Sequence, residues 1–226
     1  MFIFRNYLLL RGGIMLKTKI YGFTLAEVLI TLGIIGIVAA MTLPAITQSV
    51  KKKEAESRIK KFISTINQTL IFAENEHGLR EDWTIGEMDT YESAENFLNT
   101  YISPYVKNVG IERRKLFNMN MATLRFLDGS QMSIKIGACY DIYFDINGEK
   151  KPNKKGQDIF VFILCRKKGA CNHPSNQVRP YYCLVNGLPY PNHTEQITNC
   201  KIHGIYCTML LEENQYEFPK DYPLNF

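Results

Sequence analysis

The chain has 226 residues, a hydrophobic fraction of 46% and a formal net charge of +5, which suits one domain with an appendage or two small domains. Four of those charges, Arg5, Arg11, Lys17 and Lys19, sit in residues 1–22, which hold no acid, so the rest of the chain carries only +1 and the basic balance gives nucleic-acid binding no support. All six cysteines fall between Cys139 and Cys207, an even set that points to disulfides in an oxidising compartment.

The chain opens on an apolar stretch, Met1 to Leu10, followed by Arg11-Gly12-Gly13. That tripeptide can be encoded as a ribosome-binding sequence just upstream of Met15, so Met15 is the expected true start. Next comes an apolar block from Phe23 to Ile46, 24 residues long, which as a helix spans about 36 Å and reaches across a bilayer core. A secretory signal has a shorter apolar core and an Ala-x-Ala-like exit. Here the run is longer, and it contains a carboxylate, Glu27, that is costly in a membrane unless paired or near the interface.

The order of residues around Glu27 is informative. Basic residues lead into Tyr21-Gly22-Phe23-Thr24-Leu25-Ala26-Glu27, and the long apolar segment follows. This resembles the prepilin processing site of the type IV filament superfamily, the type IV pilins and type II secretion pseudopilins, over roughly residues 15–60. The resemblance implies a leader over 1–22, cleavage by a prepilin peptidase between Gly22 and Phe23, and methylation of the new Phe23 amine. It implies a membrane and assembly helix over 23–46, in which Glu27 attracts the Phe23 amine of a neighbouring subunit. It also implies that Pro44 kinks that helix. The expected partners are other pilin or pseudopilin subunits, the peptidase, an inner-membrane assembly platform and membrane lipid. The expected location is the bacterial inner membrane, single-pass, with the globular part extracytoplasmic and later in a filament or at the cell surface.

Residues 47–78 read as an amphipathic continuation of the helix. Apolar residues recur at Val50, Ile59, Phe62, Ile63, Ile66, Leu70 and Ala73, mostly at steps of three and four, and Gly78 is placed to cap its end. Lys51, Lys52, Lys53, Arg58, Lys60 and Lys61 are expected on the other faces, as a solvated surface or as contacts to lipid headgroups.

The globular part is expected over 79–226. A second helix is expected over 91–109, around Tyr91, Phe97, Leu98 and Ile102. Ala122–Leu127 and Gln131–Ile136 read as a hairpin closed at Asp128-Gly129, with further strands at Tyr140–Ile146 and Asp158–Cys165. The fold class is α+β: a long N-terminal helix packed on a small antiparallel β-sheet, with a disulfide-bearing C-terminal region.

Three groups of residues invite a chemical reading. Asp145, Asn147 and Asp158, with Gly148 and Gly156 between and beside them, form either a plain turn or a calcium site made of hard oxygen ligands. Four intervening lysines weigh against tight binding. Cys139, Cys165, Cys171, Cys183, Cys200 and Cys207 are mixed with histidines, but no Cys-x-x-Cys occurs and disulfides are the better reading than zinc. Trp83 reads as packing. No nucleophile motif, phosphate loop or paired catalytic carboxylates appear, so the expected function is a structural filament subunit rather than an enzyme. The alternative is a membrane-anchored extracytoplasmic binding protein that does not polymerise.

Overall fold

The computed structural model describes residues 3–9, 15–166, 177–182 and 191–226. The chain divides into two units, Met1–Val50 and Lys51–Phe226. In the first, strands β1 (Ile3–Leu9) and β2 (Met15–Tyr21) pair antiparallel, and helix α1 (Leu25–His77) begins after a short non-helical link. The part of α1 in this unit is apolar all round and exposed. Leu29, Ile30, Leu32, Ile35, Ile37 and Leu43 each leave about 60% of their surface uncovered. Such a helix is stable only where lipid or other protein covers it. Pro44 lies inside α1, where it removes the donor for the carbonyl four residues earlier.

In the second unit, α1 presents one apolar stripe. Ala55, Ile59, Phe62, Ile66, Leu70 and Ala73 are buried, spaced by three and four residues so that they share a face. Val50, expected in this stripe, belongs to the first unit and is exposed. The sheet has six antiparallel strands in sequence order: β3 (Asn108–Leu116), β4 (Met119–Phe126), β5 (Gln131–Ile136), β6 (Cys139–Asp145), β7 (Ile159–Cys165) and β8 (Arg179–Pro180). One face, with Leu124, Ile134, Ile142, Phe144 and Phe162, packs on the α1 stripe, and Phe62 stacks on Phe144 with ring centroids 4.0 Å apart. The opposite face buries a smaller cluster of Leu116, Met121, Tyr143, Ile159 and Val161. The alternation in β6 thus puts Ile142 and Phe144 on the helix face and Tyr143 on the other.

The expected helix over 91–109 is shorter and irregular. Helix α2 (Tyr91–Phe97) widens into a π-helical turn at Leu98–Ile102 and tightens to a 3₁₀ turn at Ser103–Tyr105. Residues from Asn108 onward belong to β3 instead, an edge strand whose Glu112, Arg113, Arg114 and Lys115 hide its strand character. Trp83 is buried, stacks on Tyr101 at 4.1 Å and donates its indole N–H to the Gly78 carbonyl. It is a packing residue at the end of α1.

The C-terminal region adds helices α3 (His193–His203) and α4 (Cys207–Glu213), which the sequence reading did not anticipate. A capping box between Asn192 and Glu195 starts α3, and Gly204, at φ +66°, ends it. Cys200 and Cys207 form a disulfide across that break, and Cys139 and Cys165 form another between paired positions of β6 and β7. These four sulfurs are therefore not zinc ligands. Cys171 and Cys183 lie outside the described residues.

Candidate functional site: the start of the apolar helix

Gly22, Phe23 and Thr24 form the non-helical link between β2 and α1. Phe23 is 85% exposed and Gly22 is exposed too, so the Gly22–Phe23 peptide bond lies in accessible, non-helical chain. Glu27 closes the first turn of α1. Its carboxylate Oε2 accepts from the Thr24 amide at 2.8 Å and from the Thr24 hydroxyl at 2.7 Å. The Glu27 amide donates back to the Thr24 hydroxyl at 3.2 Å. This is a reciprocal capping box. It satisfies two of the amides that every helix start leaves orphaned, which matters most where no water is near. The Thr-x-x-Glu spacing signals such a box, but the sequence reading gave Glu27 only an intersubunit role and assigned none to Thr24.

The second candidate site is the loop between β6 and β7. It does bring Asp145, Asn147 and Asp158 together, and Arg114 of β3 lies among them. Asp145 is fully buried. Its Oδ2 lies 2.8 Å from Arg114 Nη1, and its Oδ1 accepts from the Asn147 amide at 3.1 Å. Burial pushes the Asp145 carboxyl up to about 6, with Arg114 and the Asn147 amide pulling the other way. Asp158 accepts from the Lys154 and Asn153 amides at 2.6 and 2.7 Å and more weakly from the Asn147 side chain at 3.4 Å. Arg114 also donates to Gln131 Oε1, Asn153 Oδ1 and the Gly148 carbonyl.

Every carboxylate oxygen of the set is thus already engaged, and a guanidinium supplies the positive charge. Two buried oxygens of the set have no hydrogen-bond donor among the described residues: Asn147 Oδ1, and Asp145 Oδ2, which has only its ion pair with Arg114. A metal ion here would compete with Arg114 and the loop amides for the same carboxylate oxygens. Nothing in the sequence marked Arg114. It arrives through the β3–β4–β5–β6 pairing, some thirty residues from Asp145. The glycines here serve approach rather than ligation. At Gly148, φ is +73° and a Cβ would meet the Gly129 carbonyl at 2.7 Å. At Gly156, φ is +79° and a Cβ would sit 2.4 Å from Cys207 Sγ.

A third cluster lies at the C-terminal helices. The His193 ring reaches Glu213 at 3.2 Å through Nδ1 and Asp221 at 2.9 Å through Nε2. These contacts, Asp221 first, raise the His193 pKa above its ordinary value. Among the described residues no three His, Cys, Asp or Glu side chains form a group that could hold a metal ion.

Comparison with known families gives two matches. Residues 17–43 match the prokaryotic N-terminal methylation motif, and residues 45–226 match a family of unknown function, DUF6613. Comparison with curated proteins and with solved structures returned no match. The first match covers the leader end, Gly22, Phe23, Thr24, Glu27 and most of the apolar helix, and supports the type IV pilin- and pseudopilin-like family that those residues resemble. With a family match over most of its length, the chain belongs to DUF6613, carried behind a pilin-type N-terminal methylation motif.

Proposed function

We propose that the protein is a non-catalytic filament subunit, a pilin or pseudopilin. A prepilin peptidase clips it between Gly22 and Phe23, and it assembles with other subunits through α1 from the inner membrane. The observation that carries this reading is an exposed, all-round apolar helix whose first turn holds a carboxylate. Lipid can cover the apolar surface before assembly and neighbouring helices can cover it afterwards. Glu27 then serves two purposes. Oε2 caps its own helix, while Oε1 makes no hydrogen bond among the described residues and can take the Phe23 amine of the next subunit. Two opposite charges that are each costly alone in low dielectric stabilise one another there, and the pairing fixes the axial register of stacked helices.

The direct test is co-expression with a prepilin peptidase. The wild-type chain is expected to shorten and Gly22→Asp to persist as full-length membrane precursor. Equal processing of both, or of neither, contradicts the reading. For the β6–β7 loop we propose a turn locked by Arg114, without a resident metal.

A further inference from the structure

We infer that the globular unit carries a groove, lined in part by its first residue Lys51, that binds the phosphate headgroups of anionic membrane lipids. The inference rests on the membrane reading of the helix given above. The groove has a volume of about 1210 Å³ and is lined by the first turns of α1 in this unit, by Val109 of β3, by the end of β4 and its turn, by the β6–β7 loop, and by Asn225 and Phe226, which bring a terminal carboxylate to the lining. These segments bring together Lys51, Arg58, Arg125, Lys150 and Lys151, residues up to a hundred positions apart in sequence.

The charge on this surface divides unevenly. Arg58 is held by Glu54, Arg125 pairs with Glu112, and Asp128 is taken by Lys61. Asp158 is buried and bonded by loop amides. Lys51, Lys150 and Lys151 are exposed and make no ion pair among the described residues. Lys53, two residues beyond Lys51 on α1, does not line the groove, and Lys52 lies over the Phe218 ring. Against these lysines, Glu149 is the one side-chain carboxylate of the lining that neither an ion pair nor a backbone amide neutralises.

Position selects the ligand. The apolar run ends at Ile46, and Lys51 follows five residues later, about 7–8 Å along the helix at 1.5 Å per residue. The headgroup layer on each side of the hydrocarbon core is roughly 5–8 Å thick. A lysine so close in sequence to the apolar run is within reach of lipid phosphates, and the groove sets Lys150 and Lys151 of the β6–β7 loop around the same space as Lys51. A lysine near an anionic surface changes partition about fivefold, so the three unpaired lysines of the lining give a clear preference for anionic over zwitterionic lipid. The lysines of the loop, which weigh against calcium, are what a lipid surface requires.

The test uses the full chain in nanodiscs of phosphatidylcholine with a minority of phosphatidylglycerol, with lipids retained on mild detergent extraction counted by mass spectrometry. Wild type is expected to retain phosphatidylglycerol several-fold above its bulk share. Lys150→Ser with Lys151→Ser removes about 25-fold in partition and is expected to bring retention most of the way down to the bulk share, while Lys201→Ser on α3 retains the wild-type preference. The preference should also vanish at about 1 M salt, where screening acts within about 3 Å. Undiminished preference in the double variant overturns the inference. So does loss of the preference on adding millimolar inorganic phosphate, which marks a site for a free anion. A chain that does not co-elute with the discs overturns the membrane reading itself, and this inference with it. Co-elution without lipid preference overturns the groove alone.

Discussion

Thr24 and Glu27 hold each other across the first turn of α1, the Thr24 amide donating to the Glu27 carboxylate at 2.8 Å and the Glu27 amide donating to the Thr24 hydroxyl at 3.2 Å. Capping and subunit pairing make different demands on Glu27, and variants separate them. Glu27→Gln keeps an acceptor for the Thr24 amide but loses the charge. It is expected to leave insertion intact and to weaken pairing by about 3 kcal/mol, roughly a hundredfold. Thr24→Ala loses the hydroxyl and costs about 1 kcal/mol of helix start, with pairing kept. Co-purification of two differently tagged copies from membranes reads both. Equal recovery of Glu27→Gln and wild type assigns Glu27 to capping alone and favours an anchor that does not polymerise.

The Arg114–Asp145 pair predicts an asymmetric pattern. Its side chains are 11% and 1% exposed. Arg114→Met strands a buried carboxylate and is expected to cost about 3–5 kcal/mol, whereas adding Asp145→Leu restores most of the loss, since a buried apolar pair replaces a buried ion pair at little cost. Thermal melts of the single and double variants check this. A double variant as unstable as the single one places the cost elsewhere.

Calcium provides a separate check on the same loop. With Arg114 and the loop amides occupying the carboxylate oxygens, the melting midpoint is expected to be the same in millimolar calcium and in chelator. A ligand that bound only the folded state at a hundred times its Kd would add about 2.7 kcal/mol, a shift easily seen. An upward shift lost in Asp158→Asn establishes a calcium site.

Two groups give opposite pH signatures. Burial raises the Asp128 pKa, but hydrogen bonds from Lys61 and Ser130 outweigh it and hold the carboxyl at about 2, below its ordinary 3.8. A depressed carboxylate contributes stability above its unfolded value and loses it as pH falls from about 4 through 2. With Asp128 a third exposed and Lys61 two thirds exposed, the contribution is about 0.5–1 kcal/mol, and Lys61→Met should remove it. His193 has the opposite sign. Its raised pKa makes its contribution complete below about 6.5 and lost as pH rises through the folded value. His193→Phe should flatten that part of the stability profile above about pH 6.5, leaving the acid limb set by Asp128 unchanged.

The sequence was legible where one element dictates its own structure. The apolar block, the period of the α1 stripe from Ile59 to Ala73, the Asp128-Gly129 turn and the alternation of β6 each depend on local chemistry. Illegible features depended on partners far along the chain. Strand β3 carries four charged residues in a row and becomes a strand only by pairing with β4, through a turn in which Phe117 and Asn118 both adopt positive φ, 48° and 62°. Phe117 is an unlikely turn residue by itself, but its ring packs near Tyr143 and under the Lys155 ammonium. Helices α3 and α4 were hidden by the attention that cysteines and histidines draw, although Asn192-x-x-Glu195 and Gly204 marked the bounds of α3. The β6–β7 loop was half legible. Its acidic pair was visible, while the cation that answers it comes from β3.

The N-terminus of the membrane-extracted protein, expressed with its processing enzymes, is the measurement closest to the proposed function. Peptide mass spectrometry should find a mature chain beginning at Phe23 and heavier by one methyl group on its amine, with residues 15–22 absent. A mature chain that begins anywhere else, or that keeps the Gly22–Phe23 bond intact in the presence of an active prepilin peptidase, contradicts a pilin-type subunit.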